Sequence, residues 1–426
     1  MKHFNRLSPF GILSFMFVIP FLASCGGGSQ PSIDVSDAPE ELVTDYSLNY
    51  YEGKKGFMIE DYRGNGTSIS IPSEATLGGI AAPIVGISDY AFANRSVQNI
   101  YLPESIHYIG AYAFHQSKLR NLYVTPYLTT IDPHALDNCD ITINEKDGVR
   151  YLPSKKGPYG YAISYQGDKN AEITLPDECE AVYDYVFTKS NTINVGPAMR
   201  GFGSIGKGCQ YTFSVPPTEL VLTKAGDYCL RRQSDLASVT IDDCVTSIGW
   251  DAFAYCRSLA SITIPDSVTS IFPYAFTDCS SLASVTIGSG VTFITYGAFR
   301  GCTSLTSITI GSGVTSIESY AFSGCSSLAS IVIPDSVTSI GEESFAYCRS
   351  LASITIPDSV TFIGSLAFFR CSSLSSVIIP KSVVTIGKYA IDGPATIYCE
   401  ASSKPDRWNN DWCSSDCQVV WGYQGN

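Results

Sequence analysis

Charge is what this chain of 426 residues has least of. Only 16% of its side chains are charged, against roughly 25% in soluble domains. Serine, threonine and glycine fill the difference, so the surface is expected to be neutral and polar. The few charges lean acidic, 27 Lys and Arg against 40 Asp and Glu, for a net −13. An acidic chain repels phosphate backbones and anionic lipid, and no basic stripe offsets this, which excludes nucleic acid as a partner and electrostatic docking on a membrane. Histidine is nearly absent: His3, His107, His115 and His134 are the whole set. More than half of the chain therefore has no imidazole for proton transfer or metal binding. Neither paired carboxylates nor a nucleophile elbow with a supporting base is found. No enzyme, metal or cofactor is expected.

A long apolar run is also missing. Phe10 to Leu22 is apolar over about thirteen residues, short of the ~20 that span a bilayer as a helix. Preceded by Lys2 and Arg6, it has the layout of a signal-peptide core. The run closes on Leu22-Ala23-Ser24-Cys25, which resembles the lipobox of bacterial lipoproteins. That resemblance implies cleavage after residue 24 and lipidation of Cys25, with several acyl chains that anchor stably where one holds marginally. Gly26 follows rather than the aspartate of inner-membrane retention, so the expected location is the outer membrane, with the protein lipid-anchored and facing the exterior. Residues 25–45, rich in Gly, Ser, Pro and acid, read as a lipidated flexible tether with a reach of roughly 25 Å.

What the sequence has in abundance is regularity. Leu236, Leu259, Leu282, Leu305, Leu328, Leu351 and Leu374 recur at one constant step. Ile248 to Ile386 and Phe253 to Phe368 keep the same step, and the stretch from Phe253 to Thr269 recurs unchanged from Phe345 to Thr361. Such self-similarity, at a period of ~23 residues, marks a solenoid. Within one unit, Ser261-Ile262-Thr263-Ile264 alternates polar and apolar as a strand with one buried face does. Pro265-Asp266 ends it, as Gly288-Ser289-Gly290 does in another unit. Val268 and Ile271 then point inward on a second short segment, and Ala275-Phe276 closes the coil with a buried ring. No stretch of ten or more residues has helical period, so the return side is expected to be turns. One coil cannot cover its own apolar face; coils stacked about 4.8 Å apart cover one another.

The core Leu-x-x-Ile-x-Ile-Pro-x-x-Val-x-x-Ile and the ending Ala-Phe-x-x-Cys, as in Leu259 to Cys279, resemble the leucine-rich repeats of the BspA type of bacterial and protist surface proteins. The expected architecture is mostly β, a solenoid of stacked ~23-residue coils with a parallel sheet. In order, the expected parts are a signal peptide (1–24), the tether (25–45), an N-terminal β cap (46–87), irregular repeats with a hairpin inserted near 140–170 (88–235), regular repeats (236–394) and an irregular C-terminal cap (395–426). The resemblance implies adhesion: recognition of host matrix or other cell-surface proteins. A glycan-binding lipoprotein for nutrient capture and a structural surface-layer component are the alternatives.

Other motifs read more plainly. Cys256, Cys279, Cys302, Cys325, Cys348 and Cys371 stand one per coil, not clustered as metal ligands are. In-register side chains leave neighbouring β-carbons too far apart for disulfides, so these are expected to be buried free thiols. Cys399, Cys413 and Cys417 are as consistent with a disulfide as with packing thiols. Gly201-Phe202-Gly203-Ser204-Ile205-Gly206 fits G-x-G-x-x-G, but no helical pattern follows to meet a phosphate, and a loop is expected. His107, His115 and His134 align with variable positions and are expected at the surface. Candidate ligand contacts are the outward hydroxyls Ser261, Thr263, Ser284, Thr286, Ser307, Thr309, Ser353 and Thr355. To these the variable positions add Trp250, Tyr255, Arg257, Tyr347 and Arg349, since aromatic and arginine residues are the usual interface anchors. The expected partner is a protein or glycan.

Overall fold

The computed structural model describes residues 45–424, apart from 52–54, 133, 155, 169–170, 189–190, 207–208, 214–219 and 394. The signal peptide, Cys25 and the tether up to residue 44 lie outside the described residues. What is described is a β-solenoid, and no helix occurs among those residues.

The repeat unit explains the array. Ser261–Ile264 is a strand whose residues alternate exposed and buried. It pairs in parallel with Ser284–Ile287, serine against serine and Thr263 against Thr286, and that strand pairs likewise with Ser307–Thr309. Coils of equal length enforce this register. A slip of one residue would turn every isoleucine to solvent. Asp266 ties adjacent turns together, its Oδ1 accepting the Ser289 N–H at 2.6 Å and the Ser289 hydroxyl at 3.0 Å. A second, two-residue strand follows, Ser270–Ile271 in this coil, and its equivalents pair in parallel from coil to coil. Inside, Leu259, Leu282 and Leu305 are fully buried in one row, with Val268 and Ile271 beside them. The phenylalanines 253, 276, 299, 322, 345 and 368 stack with centroids 5.0–5.6 Å apart and ring planes within 17°.

Each coil returns through a run of turns. Two residues four apart take left-handed backbone there: Tyr274 and Asp278 (φ 61° and 57°), Gly297 and Gly301 (61° and 73°), Tyr320 and Gly324 (60° and 80°), Leu366 and Arg370 (58° and 55°). They bracket the buried Ala-Phe pair. Between them, alternate N–H groups reach the next coil, Tyr274 to Tyr296 O, Phe276 to Ala298 O and Asp278 to Arg300 O at 2.7–3.0 Å. The backbone of the turn side is thus satisfied without a helix. Left-handed backbone costs a side chain with a β-carbon roughly 1–2 kcal/mol. Leu366→Asn is expected to raise stability by about 1 kcal/mol, because Asn tolerates this region better. Thermal unfolding of the pair checks this, and a lower midpoint for the variant would contradict it.

The thiol column is buried, and each thiol has a partner. Cys279, Cys302, Cys325, Cys348 and Cys371 each donate to the carbonyl of the phenylalanine 26 residues earlier, at 3.1–3.3 Å. Cys256 reaches Leu230 O at 3.0 Å. All fourteen described cysteines are free, as the spacing argument expects for the column.

Upstream the coils are less regular. Asn144–Lys146, Val149–Ser154 and Gly157–Tyr165 form an antiparallel meander, the inserted hairpin with a third strand. Its last strand joins the short-strand column in parallel with Ala181–Val182. At the N-terminus Tyr46–Tyr51 pairs antiparallel with Gly56–Tyr62, which then pairs in parallel with Ile80–Ile87. At the far end Thr396–Cys399 and Gln418–Trp421 extend the long-strand sheet. Trp408 and Trp412 are buried there against the ring of Trp421, and Trp408 Nε1 donates to Val383 O at 3.1 Å. Gly201–Phe202 is a short strand paired in parallel with Ala181–Val182 and with Lys224–Ala225, and residues 201–205 are buried with no helix after them, so the glycine motif starts in the short-strand column of the solenoid, which corrects the expected loop.

The histidines correct the expectation of a surface trio. His134 is exposed, its Nδ1 2.9 Å from Asp137 Oδ2, but His107 and His115 are partly buried. The next coil closes over His107: Thr129 N–H and Oγ1 both donate to its carbonyl, and its Nδ1 lies 2.8 Å from Tyr127 O. Burial lowers its pKa, against the opposing hydrogen bond to Tyr127.

Candidate binding site

The predicted contacts fall on two different sides of the coil. Ser261, Ser284, Ser307 and Ser353 are exposed on the long strands, as are Thr263, Thr286, Thr309 and Thr355. In-register pairing lines them up as two hydroxyl columns. Val332, 80% exposed, and Ile378 interrupt the threonine column. This face offers rows of single hydroxyls, one serine and one threonine per strand where the columns are unbroken.

Tyr255, Arg257, Tyr347, Arg349 and Trp250 belong to the turn side. Arg257 and Arg349 are exposed, and Trp250 is 42% exposed. Tyr255 stands where two hollows meet. The smaller, about 390 Å³, is lined by Arg232, Ser234, Tyr255 and Arg257. The larger, about 730 Å³, runs across successive coils from Arg231 to Tyr347 and includes none of the eight Ser and Thr of the sheet face. Trp250 and Arg349 line neither hollow.

The larger groove is shaped by one column of the repeat. Positions 255, 278, 301, 324 and 347 are Tyr, Asp, Gly, Gly and Tyr. The two glycines leave the groove open between walls of side chains. Tyr274 and Tyr320 flank it, and Asp251, Asp278, Arg300 and Glu343 supply charge. Tyr320 donates its hydroxyl to Glu343 Oε1 at 3.1 Å; that hydrogen bond is the largest cause of the raised pKa of Tyr320, ahead of burial. Arg231 lies over the Tyr255 ring at 5.5 Å and Arg300 over the Tyr320 ring at 6.0 Å, contacts that hold the guanidinium planes in place. The chain's order of residues concealed Tyr274, Tyr320, Arg231 and Arg300. The signal that could have found them is glycine at 297, 301 and 324 in columns that elsewhere hold tyrosine.

The same edge is aromatic well beyond the groove. Tyr90 stacks on Tyr112 at 5.3 Å and Tyr112 on His134 at 5.2 Å. Tyr185, Tyr228 and Tyr389 occupy the equivalent left-handed position elsewhere. Among the described residues no cluster of three or more His, Cys, Asp or Glu is placed to hold a metal. Cys413 and Cys417 lie side by side in the end cap, with burial pushing the Cys413 thiol up to about 11 and Cys417 donating to Gly393 O at 3.0 Å.

A family model described as a BspA type leucine rich repeat region matches the chain in six copies, over residues 83–155, 161–283 and 269–398. Among solved structures, the chain is similar to a leucine rich cell surface protein from Faecalibacterium prausnitzii A2-165, at 21% identity over 87% of this chain and 97% of that one, with a TM-score of 0.32. It is similar to a leucine-rich repeat protein from Bacteroides ovatus ATCC 8483, at 19% identity over 88% and 98%, with a TM-score of 0.26. It is also similar to the pneumococcal vaccine antigen PcpA, at 15% identity over 88% and 96%, with a TM-score of 0.41. No curated protein matches.

Proposed function

This chain belongs to the BspA-type leucine-rich-repeat family, and from that membership we propose that it is a lipid-anchored binding protein of the bacterial outer membrane that faces the exterior and holds macromolecules of the host matrix or of other cells. Its role is attachment, without catalysis. The observation that carries the reading is the turn edge. There the solenoid repeats tyrosines in strained backbone, joined by arginines, along most of its length. Aromatic and arginine side chains on a rigid support are what interface anchors are made of. The sheet face of Ser261, Thr263 and their in-register equivalents serves as a solvated rim.

Cys25 supplies the anchor and the acidic, small-residue tether the stand-off. The test is protease shaving of intact cells, combined with fractionation of a Cys25→Ala variant and capture of immobilised matrix proteins. The repeats should be cleaved from intact cells. Cys25→Ala should move most of the protein out of the membrane fraction, since the acyl chains on Cys25 are the anchor this reading invokes. Protection of the repeats in intact cells, or no matrix or cell-surface ligand at micromolar concentration with a folded protein, would sink the proposal. Ordered oligomers at low concentration would favour a surface-layer component instead.

A further inference from the structure

We infer that the groove on the turn edge between Arg231 and Tyr347 is an oligosaccharide site that takes a neutral chain of several sugar rings; the inference rests on the surface-binding reading above and names its ligand chemistry. It starts from glycine. In the column that holds Tyr255 and Tyr347, Gly301 and Gly324 remove the side chains and open the floor. Gly297 acts on a wall. A β-carbon there would stand 2.9 Å from Cδ1 of Tyr274, closer than packed atoms come, so its absence lets that ring lie down across the next coil.

The tyrosines of the groove share one backbone conformation. Tyr255, Tyr274, Tyr320 and Tyr347, the four tyrosines of the groove, all have left-handed backbone, with φ of 60–65°. Each costs roughly 1–2 kcal/mol relative to a residue at ease there. The glycines at 297, 301 and 324 show that the fold itself does not require a ring at these columns. The same left-handed positions recur in other coils, at Tyr90, Tyr185, Tyr228 and Tyr389 among others, so the backbone belongs to the turn of every coil, and what singles out the groove is rings beside glycines.

The chemistry of the groove selects the ligand. A peptide strand needs a row of free backbone donors and acceptors to add to a sheet. Here the turn N–H groups of Tyr274, Phe276, Asp278, Phe299 and Gly301 are already spent on the next coil. The groove also lacks an enclosed apolar pocket for a protein's hydrophobic anchor. What it presents is tyrosine side chains interleaved with carboxylate, guanidinium and hydroxyl groups, with Arg231 over one face of Tyr255 and Arg300 over one face of Tyr320. A sugar ring matches that pattern, since it has apolar C–H faces and hydroxyls around its rim. Two arginines, Arg231 and Arg300, stand against three carboxylates, Asp251, Asp278 and Glu343. That net negative charge selects against polyanions such as sulfated glycans. The groove crosses five coil steps, about 24 Å at the spacing of paired strands, which is room for a chain rather than a single sugar.

The experiment is an array of neutral, sialylated and sulfated oligosaccharides probed with the full chain in detergent micelles, followed by calorimetric titration of the hits. Two variants accompany it. Tyr320→Asn removes a wall while relieving backbone strain, and Thr303→Trp fills the groove without touching a core residue. The expected result is binding to neutral chains of about four or more sugars, weakened at least tenfold by both variants, with the melting temperature of Tyr320→Asn unchanged or higher. Absence of neutral-glycan binding, binding confined to sulfated chains, or affinity untouched by Thr303→Trp would overturn the inference. A matrix glycoprotein tested before and after enzymatic deglycosylation separates the two readings. Loss of binding on deglycosylation supports the groove site. Capture that survives it, and survives both variants, refutes the groove and leaves the surface-binding function standing.

Discussion

Raising the pH from 8 to 11 is expected to unfold the repeat array in one steep transition. The cause is the thiol column. Burial in apolar surroundings is the largest influence on each of its members. It outweighs the opposing backbone hydrogen bond and pushes Cys256, Cys325 and Cys371 up to about 12, with Cys279, Cys302 and Cys348 well above their ordinary value of 9.0. Below pH 9 the thiols are protonated in both folded and unfolded chains and contribute no pH dependence. Between about 9 and 12 the unfolded chain sheds those protons and the folded chain keeps them. Folding must then return a proton to each sulfur, so stability falls as pH rises. The slope is about 1.4 kcal/mol per thiol per pH unit, and six thiols give about 8. A domain's whole stability is commonly 5–15 kcal/mol, so little more than one unit above pH 9 exhausts it. Far-ultraviolet circular dichroism against pH measures the transition. Replacing Cys302 and Cys325 by alanine should make it shallower by about 3 kcal/mol per pH unit, the share of two thiols. Stability that stays flat to pH 11 would show that these thiols are not sequestered as the structure has them.

The thiol column illustrates which parts of the molecule the sequence declares. An unvarying period leaves one way to stack the coils, so every residue that recurs at that step shares a column with its copies. Leu259, Ile271, Phe276 and Cys279 are therefore readable as core from periodicity alone, and the alternation in Ser261 to Ile264 assigns the sheet's two faces. The turns are another matter. Their left-handed positions are filled by Tyr274, Asp278, Tyr320 and Leu366, and tyrosine and leucine carry no local signal for such backbone; the coil-to-coil hydrogen bonds impose it. Only the register of Gly297, Gly301 and Gly324 with those residues betrays the geometry, and it becomes legible once columns are read instead of rows. The groove was hidden for the same reason: its members are scattered over more than a hundred residues of chain and meet because the coils stack. The thiol hydrogen bonds were equally unreadable, since donor and acceptor are 26 residues apart, one coil plus three. His107 shows the limit of alignment by period. The coils around it are shorter than those of the regular array, so a position that looks variable is covered by the segment holding Tyr127.

Phe299→Ala is expected to cost about 3–5 kcal/mol, the range for removing a fully buried aromatic ring, and to split the unfolding transition in two. The ring of Phe299 is fully buried, 5.2 Å from Phe276 on one side and 5.6 Å from Phe322 on the other. Its loss leaves a void that the stiff coils on either side cannot close, since each is pinned by its own ladder. In a solenoid, stability is a sum of coil terms and nearest-neighbour interfaces, so one weakened interface divides the array. Position matters more than chemistry. Phe253 faces a ring on only one side, Phe276 at 5.0 Å, with Leu230 filling the equivalent place in the preceding coil. Phe253→Ala should therefore cost about 1 kcal/mol less, one aromatic pair being worth 0.5–1.5, and should leave a single transition. Differential scanning calorimetry of the two variants decides it. If both cost the same and both unfold in one step, coupling along the array is not nearest-neighbour. Cooperativity would then have to come from the end caps around Tyr62 and Trp408 rather than from contact between successive coils.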